Sequence, residues 1–185
     1  MRLSVPRLSP LPQAEIPEEL LKYTGGRVNQ PVINIYATLA RHAKLAKRWL
    51  VFGTHILAKS TLGARERELL ILRIGWRCKS EYEWGQHARI GLASGLTADE
   101  IKRIAQGPDA PDWSAFDITL LRAADELHDD QFISDATWNA LAVLYNEQQL
   151  IDLIFTVGQY TLVSMALNTL GVQLEAGTPG FSATT

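Results

Sequence analysis

Residues 64–87 read ARERELLILRIGWRCKSEYEWGQH, and the way this stretch is read decides the fold. Leu69-Leu70-Ile71-Leu72 is a continuous apolar run without polar alternation. Within Ala64 to Trp76 it predicts a buried helix rather than a strand. Outward from it, stop and start signals keep to helical punctuation. Gly95 suits a helix C′ position, Thr97-Ala98-Asp99-Glu100 has the form of a capping box, and Gly107-Pro108 ends a short helix. Ser114 and Ser134 are N-cap residues for helices expected over Ala115–His128 and Asp135–Tyr145, and a long last helix is expected from about Glu147 to Leu170. Upstream, Ile33, Ala37 and Ala40 (with Tyr36) share one helical face, and Leu45, Trp49, Phe52 and Ile56 share another. Five of the eight prolines (Pro6, Pro10, Pro12, Pro17 and Pro31) crowd the first 31 residues, so that part should be extended with at most a short helical turn. The expectation is an all-α, single-domain bundle of seven or eight helices. A Pro-rich arm spans 1–31, the helical domain 32–175 and a flexible tail 176–185.

Composition narrows the function. With 46% apolar and 21% charged residues in 185, the chain suits one soluble globular domain and excludes a disordered or collagen-like polymer. Eighteen basic against twenty acidic residues leave a net charge of −2, without the basic footprint of a nucleic-acid binder. A single cysteine, Cys78, can form neither an intrachain disulfide, a Cys-rich zinc site nor a redox pair, which fits a reducing, cytoplasmic setting. The N-terminus lacks the apolar stretch of a secretory signal. Residues 153–174 carry no charge, but Gln159, Asn168 and Gln173 make them too polar for a comfortable lone membrane span. A buried helix at a core or subunit interface is the better reading, and with it a homo-oligomer rather than a membrane protein.

Chemistry concentrates in the same segment. Ser80, Glu83 and His87 lie at i, i+3 and i+7, on one stripe of a helix, and Glu83 and His87 are one turn apart. Glu68, on the preceding apolar helix, could face them. Two carboxylates and an imidazole converging in an apolar cleft would perturb one another's pKa values and suit acid–base work near neutral pH. The spacing also fits a plain surface pair, worth a few tenths of a kcal/mol, with Glu68 paired to Arg65 or Arg73. Tyr82 and Trp84 flank the stripe as pocket walls or as packing. His42 and His55 read as core or capping residues, and His128 suits a helix C-terminus. A Gly-rich phosphate loop and an H-E-x-x-H zinc motif are both missing. Glu68, Glu83 and His87, split over two helices, are a weak metal signal, so no metal and no cofactor are expected.

Three stretches carry a resemblance: Arg67-Glu68-Leu69-Leu70-Ile71-Leu72, Glu81-Tyr82-Glu83-Trp84-Gly85-Gln86-His87-Ala88-Arg89, and Gly95-Leu96-Thr97-Ala98-Asp99-Glu100-Ile101. Together they resemble the carboxymuconolactone decarboxylase family, which includes the alkylhydroperoxidase-D type of antioxidant protein. The likeness is strongest over about 37–107. The family's plan sets a Glu twelve residues before a Cys-x-x-Cys-x-x-x-His element, and Glu68, Ser80, Glu83 and His87 occupy those four places. Both motif cysteines are therefore replaced. A serine cannot become a sulfenic acid, and a carboxylate cannot resolve one. Cys78 lies about 200° round the helix from Ser80. The resemblance then implies the decarboxylase side of the family, a cofactor-free lyase with Glu68, Glu83 and His87 as the catalytic set. His87 would donate the proton, Glu83 would orient it, and Glu68 would be a second acid–base group or an anchor. Ser80, Tyr82 and Trp84 would bind substrate, a small unsaturated or lactone-type carboxylic acid whose carboxylate could meet Arg73 or Arg89. It also implies assembly to a dimer, trimer or hexamer. The alternatives are a thiol-dependent antioxidant relying on Cys78 alone and a non-catalytic helical oligomer that binds a small ligand.

Overall fold

A computed structural model describes residues 2–21 and 31–181. Among these residues every regular element is helical: α1 (Glu18–Leu21), α2 (Asn34–Leu39), α3 (Ala43–Ala58), α4 (Ala64–Arg77), α5 (Glu81–Ala93), α6 (Ala98–Gln106), α7 (Ala115–Asp129), α8 (Asp135–Ala142) and α9 (Glu147–Leu170). Short 3-10 turns occupy Gln13–Glu15 and Ala40–His42. The all-α expectation holds.

α4 is the centre, with α5, α6, α7 and α9 packed around it. Leu69, Leu70, Ile71, Leu72 and Ile74 have no exposed surface, the burial expected of a helix covered by neighbours on several sides. Each such side chain contributes about 1.5–3 kcal/mol of burial. Polar residues on the same helix are drawn inside with them, Glu68 and Arg73 among them.

The turn from α4 to α5 is short, Cys78 to Ser80. Lys79 takes a left-handed φ of 53°, and the Ser80 amide donates to Gly75 O at 2.8 Å. That turn folds α5 back along α4 and sets the register between Glu68 and His87. Thr97 and Glu100 form the expected capping box on α6, and Asn146 and Gln149 form another on α9. α9 stops where expected, at Gly171, whose φ of 71° favours glycine.

Three expectations need correction. On α3 the buried residues are Ala46, Leu50 and Ile56, while Leu45 and Phe52 face outward, because this helix is covered on one side only. α8 ends at Ala142 rather than Tyr145, and Tyr145 turns in to stack on Phe116. Residues 176–181 are held rather than free. Phe181 packs on Trp76 and Trp84 at 4.9 and 5.8 Å between ring centres. A Cβ on Gly85 would come within 2.5 Å of Pro179 O, so the close crossing over α5 requires glycine there. Residues 182–185 of that tail, like 22–30 of the arm, lie outside the described residues. The rest of the arm docks: Ile16 and Leu20 pack against Ala46 and Leu50, and the Arg7 amide donates to Leu170 O.

α9 is the one helix among the described residues long and apolar enough to cross a membrane, and half of its apolar window is buried inside the fold. Its buried residues include Thr156, Gln159 and Ser164, which suits a core helix.

Candidate active site

Glu68, Glu83 and His87 converge. The His87 ring is clamped through both nitrogens: Nδ1 donates to Glu68 Oε2 at 2.6 Å and Nε2 to Glu83 Oε1 at 3.0 Å. Glu68 comes from α4 and the other two from α5, so the clamp depends on the tight reversal between these helices. All three side chains are buried. Behind Glu68, Arg67 Nε stands 3.4 Å from Oε1, an ion pair in which neither of these atoms gains a hydrogen bond. Tyr160 meets the imidazole edge to face at 4.9 Å.

Burial opposes a charge on His87, but the Glu83 carboxylate by its charge, and hydrogen bonds to Glu68 and Glu83, outweigh it. Its pKa is pushed up to about 10. At neutral pH the ring is an imidazolium between two carboxylates, and Arg67, Glu68, His87 and Glu83 alternate in sign. With both ring nitrogens donating, the imidazole keeps no lone pair for a metal, and among the described residues no group of three or more metal-binding side chains is arranged to hold one.

Glu83 and His87 line a cavity of about 280 Å³ between α2, α3, α5 and α9, near the lower end of the ~300–1,000 Å³ usual for ligand pockets. Its other walls include Tyr36, Trp49, Tyr82, Gln86, Gln159 and Tyr160. Glu68 stays behind His87 and does not reach the cavity. Burial, with the negative charge of Glu83 adding to it, raises the pKa of Tyr36, Tyr82 and Tyr160, so all three phenols are held protonated.

The substrate-binding set expected from sequence divides. Tyr82 lines the cavity, but its hydroxyl is engaged, donating to Glu175 Oε1 at 2.7 Å and accepting from the Ile35 amide at 3.2 Å. Trp84 is buried in the core beside Trp76 and does not line the cavity, because it points from the opposite side of α5. Ser80 is the N-cap of α5, fully buried, with a hydroxyl that has no partner and no place in the cavity wall.

Neither arginine expected at a carboxylate is there. Arg73 holds Asp125 with two hydrogen bonds of 2.7 Å and donates to Ile104 O and Ala105 O, which ties α4 to α6 and α7. Arg89 is exposed and reaches Gln86 Oε1 at 3.4 Å. Arg65, the other partner weighed for Glu68, pairs with Asp117 and Glu100. Cys78 ends α4 away from the cavity, with Sγ 3.8 Å from His128 Nδ1, and burial raises its thiol pKa. His42 caps α3, accepting from the Leu45 amide at 3.4 Å, and His55 is exposed in the last turn of that helix.

Sequence reading missed Tyr36, Trp49, Gln159 and Tyr160 as cavity residues. Tyr36 and Tyr160 lie 47 and 77 residues from Glu83 and carry no local motif. The one available signal was Gln159 in the charge-free stretch of α9, a polar residue where a purely structural helix would be apolar.

An all-α bundle that sets a Glu–His–Glu clamp beside a small aromatic cavity places this protein with the alkylhydroperoxidase-D-like folds. Residues 43–126 match the Carboxymuconolactone decarboxylase family. An uncharacterized peroxidase-related protein from Ralstonia eutropha JMP134, described as an alkylhydroperoxidase AhpD core, superposes with a TM-score of 0.81 at 17% identity, covering 91% of this chain and 93% of that one. An uncharacterized peroxidase-related protein from Silicibacter sp. TM1040 gives 0.78 at 15% identity, covering 96% and 93%. The debrominase Bmp8, solved with 2,3,4-tribromopyrrole, gives 0.72 at 13% identity, covering 96% and 94%. No curated protein matches the sequence at a significant level.

Proposed function

We propose that this protein is a cofactor-free enzyme that moves a proton on a small unsaturated or lactone-type molecule, with Glu83 and His87 touching the substrate and Glu68 as a positioning residue. The observation that carries the reading is the His87 ring held at 2.6 and 3.0 Å between Glu68 and Glu83 in the wall of a cavity.

The step balances without a cofactor. Glu83 takes a proton from the γ carbon of a conjugated enone or unsaturated lactone, and the C–H electron pair moves into the conjugated system as a dienolate. His87 stabilises that oxyanion by its charge and delivers its Nε2 proton to another carbon of the system. Glu83 then returns the proton to His87 along their 3.0 Å contact, which resets the site. In the lyase form that the family resemblance implies, carbon dioxide leaves with its bond electrons entering the same dienolate. His87 supplies the same proton, which solvent restores.

A thiol peroxidase is the weaker reading. It needs a thiol at the site, but Ser80 and Glu83 replace the family's two cysteines, and Cys78 does not line the cavity. We also propose that the protein is a homo-oligomer, on the apolar faces that α3 and α9 turn outward, and cytoplasmic, on its single cysteine.

Incubating unsaturated lactones and enones with the enzyme in D₂O tests the reading. Deuterium should enter the carbon adjacent to the carbonyl with wild type and not with Glu83→Gln. Equal incorporation by both proteins would refute the acid–base role.

A further inference from the structure

Resting on that acid–base reading, we infer that the cavity selects an uncharged, planar substrate bearing a hydroxyl or N–H donor, rather than a carboxylate. Among the described residues, no Lys or Arg lines the cavity. Its wall carries one carboxylate, Glu83, and a second, Glu175, stands directly behind Tyr82 and Gln86. The one cation at the surface of the cavity, His87, is already neutralised by two carboxylates. An anionic ligand would therefore lose its hydration and meet no unpaired positive charge, a cost of the kind that excludes buried charges. A cationic ligand would have only Glu83 to pair with, and would have to displace His87 from it.

The neutral groups suit the opposite kind of ligand. Tyr36, Trp49, Tyr82 and Tyr160 give flat apolar surface for a conjugated ring or lactone. Burial first, then the negative charges of Glu83 and, at Tyr82, Glu175, push the three phenols further from ionising, the direction expected where added negative charge is disfavoured. Of the two amides in the wall, Gln86 is engaged with Glu175 and Arg89, whereas Gln159 Oε1 is buried with no hydrogen-bond partner. An unpaired buried carbonyl oxygen is costly, and a ligand donor in the cavity that Gln159 lines would recover that interaction. Within the proposed function, this selects proton relocation on a neutral substrate over loss of carbon dioxide from an acid.

Isothermal titration with four probes of one shape tests it: 2-naphthol, 2-naphthoate, 2-naphthylmethylammonium and naphthalene. The naphthol should bind at least about tenfold more tightly than either ion. Gln159→Leu should weaken naphthol by about five- to tenfold and leave naphthalene unchanged, the loss of one hydrogen bond. Naphthoate or the ammonium binding as tightly as naphthol to wild type would overturn the inference, whether or not the variant folds. Because binding is read without turnover, that result leaves the deuterium test of the acid–base reading standing, and a failed deuterium test leaves the binding preference to be judged by itself.

Discussion

Glu68 has no exposed surface and no access to the cavity, yet it sits 2.6 Å from His87. Its work is done through the imidazole, and that fixes the order of the mutational effects. Glu83→Gln and His87→Gln should each lower kcat by roughly 10²–10⁴, the range for a general acid–base group. Glu68→Gln should cost less, and the double variants should lose less than the product of the singles, because the groups act as a unit. Steady-state kinetics on folded variants would check this, and equal losses at all three positions would deny Glu68 a positioning role. The same clamp links protonation to folding. The His87 proton is held to about pH 10 in the native state against about 6.5 for an ordinary histidine. Its stabilisation is complete below about 6.5 and is lost as pH rises toward 10. Urea midpoints should fall over that window in wild type and run flatter in His87→Gln; parallel slopes would contradict the assignment. Cys78→Ser should leave turnover at the wild-type level. At this scale the sequence made Glu68, Glu83 and His87 legible, because helical spacing places a carboxylate and an imidazole one turn apart. It could not separate Tyr82 from Trp84, since only the packing of α5 decides which of two flanking aromatics faces the cavity and which the core.

α4, the Cys78–Ser80 turn and α5 act as one element, and the buried charges on α4 show how it is tied to the rest. Arg73 is 5% exposed and completed by Asp125 and two carbonyls at the end of α6. Asp125→Ala leaves that guanidinium buried without its counter-charge and should destabilise the fold by about 3 kcal/mol. Chemical denaturation would measure it, and a change under about 0.5 kcal/mol would mean that the carbonyls alone suffice for Arg73. Because this residue is committed to structure, its type and position in the sequence suggested a substrate anchor that the packing does not provide. The elements themselves were more legible than their faces. The capping residues Thr97, Ser114 and Ser134, read from the sequence, accept the backbone amides that start α6, α7 and α8, and Asn146 does the same for α9. The buried side of α3 was not legible, because the exposed Leu45 and Phe52 are as apolar as the buried Leu50 and Ile56, and only the neighbours of α3 choose between them.

Over the whole molecule, α3 and α9 leave apolar side chains exposed on adjoining surfaces. Phe52 and Phe155 meet edge to face at 6.1 Å while both remain exposed, and Leu45, Val51, Ile151, Leu162 and Met165 are more than half exposed or nearly so. A run of exposed apolar side chains on adjoining helices marks an interaction surface. Light scattering should give a multiple of 20.6 kDa, and Phe155→Glu should shift it toward the monomer; a wild-type mass of 20.6 kDa would refute the assembly. The charge state of the site is the claim on which the rest of the account stands, and it is open to direct observation. In a ¹⁵N-edited NMR titration of the histidine rings, His87 should carry protons on both Nδ1 and Nε2 at pH 8 and lose one only near pH 10. A singly protonated His87 ring at pH 8, with a midpoint near 6.5, would contradict the clamp and the proton transfer built on it.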